Sequence, residues 1–417
     1  MLARIWILAV VLSLAAAAEA AGQWPEFRGP GGQGHAPDTG LPLEWSESRN
    51  VLWKVPVPGS GWSSPVVAGN RIWLTTAADV AEGGRNRGVS LRALAFDIET
   101  GKLLVDTEVF RLDRARNINH KNSHASPTPI VDGDRVYVHF GADGTAALSG
   151  SGDILWRTRL PYESQHGAGG SPALFGDLLI VNCDGNGGPD GAFVAALDTR
   201  SGKIRWKTPR RSPADQAYST PLVIRAADRD QVISVGAYRA AAYDPRSGRE
   251  IWRVSYGQGF SNVPRPVFGH GLVYITTGFH QPELLAVRPD GSGDVTDSHV
   301  AWAVRRGVPF TPSPLLVGDE LFFVNDVGIA SCVDARTGKV RWQQRLGGNY
   351  SASPVFADGR VYFFSEEGAV TVLAPGPTFQ RLGTSQLDGS ILASAAVAHG
   401  SFFIRTGSHL YRIGTRQ

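Results

Sequence analysis

The side chains of this sequence that could carry chemistry are ten histidines, two thiols and scattered carboxylates, and spacing decides what each could do. His120 and His124, in HKNSH, stand four apart. On a helix that spacing would aim both imidazoles at one divalent metal, but this segment leads into a strand and no third ligand is apparent. CDGNGGPDG, 183–191, offers oxygen donors at Asp184, Asn186 and Asp190 but lacks the distal Glu and spacing of a calcium loop, so it reads as a Gly-rich surface turn. Cys183 and Cys332 form no CxxC pair and are expected as two buried small side chains, with no zinc site between them. No GxSxG or HExxH motif is present. No catalytic set is therefore expected.

A second group of residues suits binding. Trp62, Tyr218, Phe310 and Tyr350 have flat faces for stacking on a ring or a sugar. His120, Lys121, His124, His166, Asn262 and Arg265 add donors for an anionic or polyhydroxylated ligand. These ten are scattered from residue 62 to residue 350, so some repeated element must bring them together.

That element is a Ser/Thr-Pro step, an apolar stretch, a Gly turn and a second apolar stretch, as in SSPVVAGNRIWL from Ser63 and ASPVFADGRVYFF from Ala352. It recurs eight times, aligned on Pro65, Pro127, Pro172, Pro221, Pro266, Pro314, Pro354 and Ala395, at intervals of 62, 45, 49, 45, 48, 40 and 41. A second phrase, DTRSGKIRW at 198–206, returns as DPRSGREIW and DARTGKVRW, with Trp always four residues after Gly. A period of this length with several short strands predicts an all-β, eight-bladed β-propeller of four-stranded antiparallel blades. In each blade the Asp caps a turn between the third and fourth strands and Gly takes its left-handed position. Trp156, Trp206, Trp252, Trp302 and Trp342 then recur on the fourth strand as packing between blades, whereas blade 1 has Val105 there. The last blade has sequence for only three strands, and RNVLWKVPV, with Trp53, reads as the missing fourth, so that residues 50–57 close the ring.

In such blades the loops between the fourth and first strands and between the second and third share one face. They vary in length and chemistry, so ligands are expected there. Residues just before each Pro, the ten above among them, are expected around that mouth of the central channel.

Residues 1–20 read as a signal peptide: Arg4, an apolar run from Ile5 to Ala18 too short to span a bilayer, and small residues before Ala21. Residues 21–41 are expected as an extended arm on the surface and 42–417 as the propeller. The protein is expected in the periplasm or secreted, as a monomer with no transmembrane segment after cleavage. A net charge of +3 gives no basis for nucleic-acid binding.

The Ala-x-Asp-x-x-Thr-Gly-Lys-x-x-Trp phrase resembles the repeat of the pyrroloquinoline-quinone (PQQ) type β-propellers. That group includes quinoprotein alcohol dehydrogenases, the propeller lipoprotein of the outer-membrane β-barrel assembly machinery, and exported propellers of unknown role; WPEFRGPGGQG at 24–34 resembles the last. The resemblance implies either a binding or scaffold module, for a partner protein or for a carbohydrate-like or anionic small ligand, or a PQQ-dependent dehydrogenase. The enzymes add calcium, a base and often vicinal cysteines. This chain has no such cysteine pair and only Asp215 as an acid in the expected inner ring, although Lys121 and Arg265 could hold a tricarboxylate. A non-catalytic module without a cofactor is expected, with PQQ plus calcium as the alternative. The lipoprotein's acylated Cys has no counterpart after the apolar run, so the same tether is not expected.

Overall fold

A computed structural model describes residues 22–80, 88–186, 191–211 and 215–416. The signal segment 1–20 lies outside the described residues, as do Asp190 and residues 81–87. The chain forms eight antiparallel sheets, each with strands A to D in chain order: blades 1 to 7 span 66–112, 130–158, 173–209, 222–255, 267–304, 315–345 and 355–386. Blade 8 takes strands A to C from 396–414 and strand D from Val51–Pro56. Strand D of blade 8 pairs antiparallel with His409–Gly414, from Val51 opposite Ile413 to Pro56 opposite His409, and so closes the ring. Arg412 adds a second link across the closure, donating to the Ile98 carbonyl and pairing with Glu99 of blade 1 at 2.7 Å.

Burial follows from position in the blade. Strands B and C have blades on both sides, and in blade 3 Leu178–Cys183 is buried throughout. Strand D is an outer edge. In Val340–Arg345 of blade 6 only Trp342 is buried, while charged and amide side chains face solvent and protect the open backbone edge. The core is consequently a series of layers between blades, such as Ile180, Val194 and Trp206 of blade 3 against Val232 and Tyr243 of blade 4.

The repeated phrase has a direct geometric cause. In blade 3, Asp198 Oδ1 accepts from the backbone N–H groups of Arg200 and Ser201 and from the Ser201 hydroxyl. Gly202 has φ of 69°, and a Cβ there would lie 2.4 Å from the Trp156 ring of blade 2. The position therefore excludes side chains twice, by backbone conformation and by the indole against it. The Trp156 indole donates to the Thr199 carbonyl of that turn at 3.0 Å, and Trp206 and Trp53 bond the turns of blades 4 and 1 in the same way. The Ala of the phrase makes room: Ala147, Ala196, Ala242 and Ala286 stand opposite Trp156, Trp206, Trp252 and Trp302 on the neighbouring strand. Cys332 holds that place opposite Trp342, and Cys183 is likewise buried and free.

Two expectations need correction, and two blades depart from the repeat. In blade 2 strand A starts at Ile130, so the aligned proline is Pro129; ASPTP contains two Ser/Thr-Pro steps, and only the strand start separates them. In blade 5 the C-to-D connection is long: Gly293–Asp294 runs beside Trp252 as a fifth, parallel strand on blade 4. Blade 7 has no Trp, because Gly383 occupies its place opposite Val372. Finally, the arm does not lie on the surface. Trp24 bridges Val67 of blade 1, Pro25 accepts from Val131 of blade 2, Arg28 donates to the Pro314 carbonyl, and His35 bridges Phe356 of blade 7. The arm thus follows the inner edges of the A strands, where unpaired backbone groups and the apolar wall draw it in.

Candidate functional site

Because every strand A borders the axis, the residues preceding it converge on one cavity of about 520 Å³. Its wall carries one hydroxyl tier: Ser64, Thr128, Ser171, Thr220, Ser313, Ser353 and Ser394, each immediately before the Pro or Ala that opens strand A. This tier explains the Ser/Thr of the repeat. Ser64 N–H donates to Thr128 Oγ1 at 3.0 Å, Thr128 to Ser171, Ser171 to Thr220, Ser313 to Ser353 and Ser353 to Ser394, so each blade clasps the next through a hydroxyl.

Blade 5 interrupts the tier with Arg265, whose backbone N–H still donates to Ser313 Oγ. The Arg265 side chain turns away from the open mouth and bonds the Phe27 carbonyl at 2.6 Å, Glu26 at 2.9 Å and the Pro221 carbonyl. Phe27, held in this way, lines the cavity as part of its floor. Arg265 therefore fixes the arm and is not a ligand donor at the mouth.

Of the ten expected residues, Trp62, His120, Lys121, His166, Tyr218 and Phe310 do line the cavity together. Four do not. Asn262 is buried and donates to the Tyr256 hydroxyl. Tyr350 is sealed in the layer between blades 6 and 7 with Trp342 and Phe363. Arg265 is committed to the arm. His124 borders a separate small recess with Arg116 and Asp143, and burial pushes its imidazole pKa down. The two His of HKNSH thus face different spaces.

The rim is more aromatic than the residues before each Pro imply. Phe260 lies 5.7 Å from Phe279, and Phe279 lies 5.8 Å from Phe310, with His280 4.7 Å from Phe279. Phe279 sits in the B-to-C loop of blade 5 and is 43% exposed. It also borders a groove of about 500 Å³ between blades 5 and 6, with Gln281, Val308, Asp326 and the exposed Val327. The sequence signal for Phe279 is an apolar residue in a loop on the variable face; Phe27 has none, since arm and wall meet only in three dimensions. Across the same mouth, Lys121 from the blade 1–2 loop reaches Glu366 of blade 7 at 2.8 Å, and Glu366 also accepts from the Ser351 hydroxyl.

The donor set does not fit PQQ with calcium. Calcium takes six to eight oxygens, with carboxylates prominent. No carboxylate lines the cavity among the described residues. The nearby acids are engaged: Glu366 with Lys121, Asp326 with the Phe310 N–H, and Asp215 with the Tyr238 hydroxyl. Asp184, expected in a Gly-rich surface turn, is instead buried against Arg210 at 2.6 Å, while Asn186 accepts from Gln216. Among the described residues no group of three His, Cys, Asp or Glu could hold a metal.

A sequence-family profile described as outer membrane protein assembly factor BamB matches residues 236–392. A protein of that name from Burkholderia pseudomallei is 30% identical over 240 residues, covering 54% of this chain and 56% of the relative. The chain spans about half the length of the curated relatives it matches. Among solved structures it is similar to BamB from Moraxella catarrhalis, with TM-score 0.60 and 14% identity over 87% of this chain and 99% of that one. It is also similar to the quinohemoprotein alcohol dehydrogenase from Comamonas testosteroni, with TM-score 0.68 and 11% identity over 96% and 82%. The chain resembles the PQQ-type repeat propellers in sequence and in fold, and at these identities the structural likeness establishes the fold alone.

Proposed function

We propose that this chain is an exported, non-catalytic propeller that binds a partner protein with its variable face, in the assembly of outer-membrane proteins. The assembly role comes from the name its sequence relatives carry; the binding face comes from the molecule. What carries the reading is the asymmetry of the two ends. One end is filled by the arm, whereas the other presents Phe260, Phe279 and Phe310 beside an open groove. Exposed aromatic clusters rimmed by polar groups are a common form of protein-binding surface. Among the described residues the cavity wall carries His120 and His166 but no carboxylate of the kind the quinoprotein reaction uses as its base, which favours binding over dehydrogenation. No described helix is long and apolar enough to cross a membrane.

The competing dehydrogenase reading is tested by adding PQQ and calcium to the purified protein. We expect an unchanged melting temperature and no new visible absorbance. A shift of several degrees with a bound chromophore would make the cavity a cofactor site.

A further inference from the structure

The cavity below the aromatic rim has an electrostatic character that partner binding does not explain. All seven tier hydroxyls are at most 5% exposed, and six of them accept a backbone N–H from the neighbouring blade. None donates its own proton to a protein acceptor among the described residues, although a hydroxyl carries a donor as well as two lone pairs. Seven O–H groups at one height around an axis therefore remain free to point into the lumen.

The charges around this tier are biased the same way. Lys121 is balanced by Glu366, and Arg265 by Glu26. Two further guanidinium groups are buried with no carboxylate partner among the described residues. Arg28, next to Phe27 in the floor, donates only to the Gln33 and Pro314 carbonyls, and its Nε and Nη1 have no partner. Arg405 donates to Ser63, the residue before the first tier hydroxyl, and to the Thr75 carbonyl. Burial lowers both groups to about 9, with Arg265 adding to the effect at Arg28. Uncompensated buried cations are costly, and an anion brought close would offset that cost.

We propose that the axial cavity is an oxyanion site, in which the phosphate or carboxylate group of a small acid is held by the hydroxyl tier in the field of Arg28 and Arg405. Charge-assisted O–H···O⁻ bonds supply the affinity. The volume of about 520 Å³ exceeds that of a bare ion, so the acid carries an apolar body that meets Phe260 and Phe310 above the tier. The site shares Phe260 and Phe310 with the protein-binding rim, but its hydroxyl tier lies beneath that rim, and substitution of Ser64 reads the tier without altering the rim.

The test is calorimetric titration of the full chain with phenyl phosphate, with benzoate, and with phenol as the neutral control, at matched ionic strength. Saturable binding of one or both acids, absent for phenol, is expected; the two acids separate phosphate from carboxylate preference. Ser64 is the informative position, because its hydroxyl alone in the tier accepts no bond between blades among the described residues. Ser64→Ala should weaken binding about tenfold, the loss of one hydrogen bond to a charged group. Ser64→Asp should abolish it by repulsion; if that variant fails to fold, Ser64→Ala decides. Binding of neither acid beyond phenol, or wild-type affinity in Ser64→Ala, would overturn the proposal.

Discussion

At the scale of single residues, most buried polar side chains of this propeller have a partner built in, with Arg28 Nε and Nη1 among the exceptions. His139 is buried in blade 2 with Nδ1 2.8 Å from the Thr145 hydroxyl, and burial pushes its imidazole down to about 4. The unfolded chain's histidine titrates near 6.5, so as pH falls it takes up a proton before the folded protein does. His139 therefore contributes its full stability above about pH 6.5 and loses it progressively toward pH 4, on the order of 3 kcal/mol at the low end. Melting curves across that window should fall less steeply for His139→Asn than for the wild type. Parallel curves would show that His139 is not the titrating group. The same rule explains why two expected site residues are absent from the mouth: Asn262 and Arg265 precede a strand as expected, but each finds its partner inside the protein.

At the scale of elements, the repeat made most of the fold legible. The Asp-to-Trp phrase encodes a turn and its contact with the adjacent blade, and the Ser/Thr-Pro step encodes both a strand start and a clasp between blades. What stayed hidden were contacts made by residues outside the repeat. Blade 7 lacks its Trp, and the indole in that layer comes from the segment between the arm and the closing strand: Trp45 stacks on Tyr362 at 6.3 Å and lies 5.4 Å from Phe402. Trp53, Trp156, Trp302 and Trp342 lie about the same distance from the matching strand-B aromatics, 6.2, 6.2, 5.8 and 6.0 Å. Gly383 leaves room for this segment, with Leu43 3.3 Å from where its Cβ would be. No pattern within blade 7 announces a substitute so far back along the chain. Trp45→Ala should cost about 3–5 kcal/mol, as for a large buried aromatic, and match Trp342→Ala in melting temperature. A Trp45→Ala protein as stable as the wild type would mean that this segment merely rests on a complete ring.

At the scale of the whole molecule, ring closure by Val51–Pro56 and filling of one channel end by the arm leave a single variable face. Closure completes blade 8, the arm covers part of the inner A-strand edges, and charged D strands guard the outside, which directs binding to loops. Partners are expected to dock on the face carrying Phe279. Site-specific photocrosslinking in the native cell tests this most directly, with a photoreactive amino acid at Phe279 and, as control, at Arg200 in the C-to-D turn of blade 3 on the opposite face. A discrete higher-mass adduct is expected from position 279, lost when Phe310 is changed to Asp, and none from position 200. Equal adducts from both positions, or adducts from position 200 alone, would contradict docking on this face.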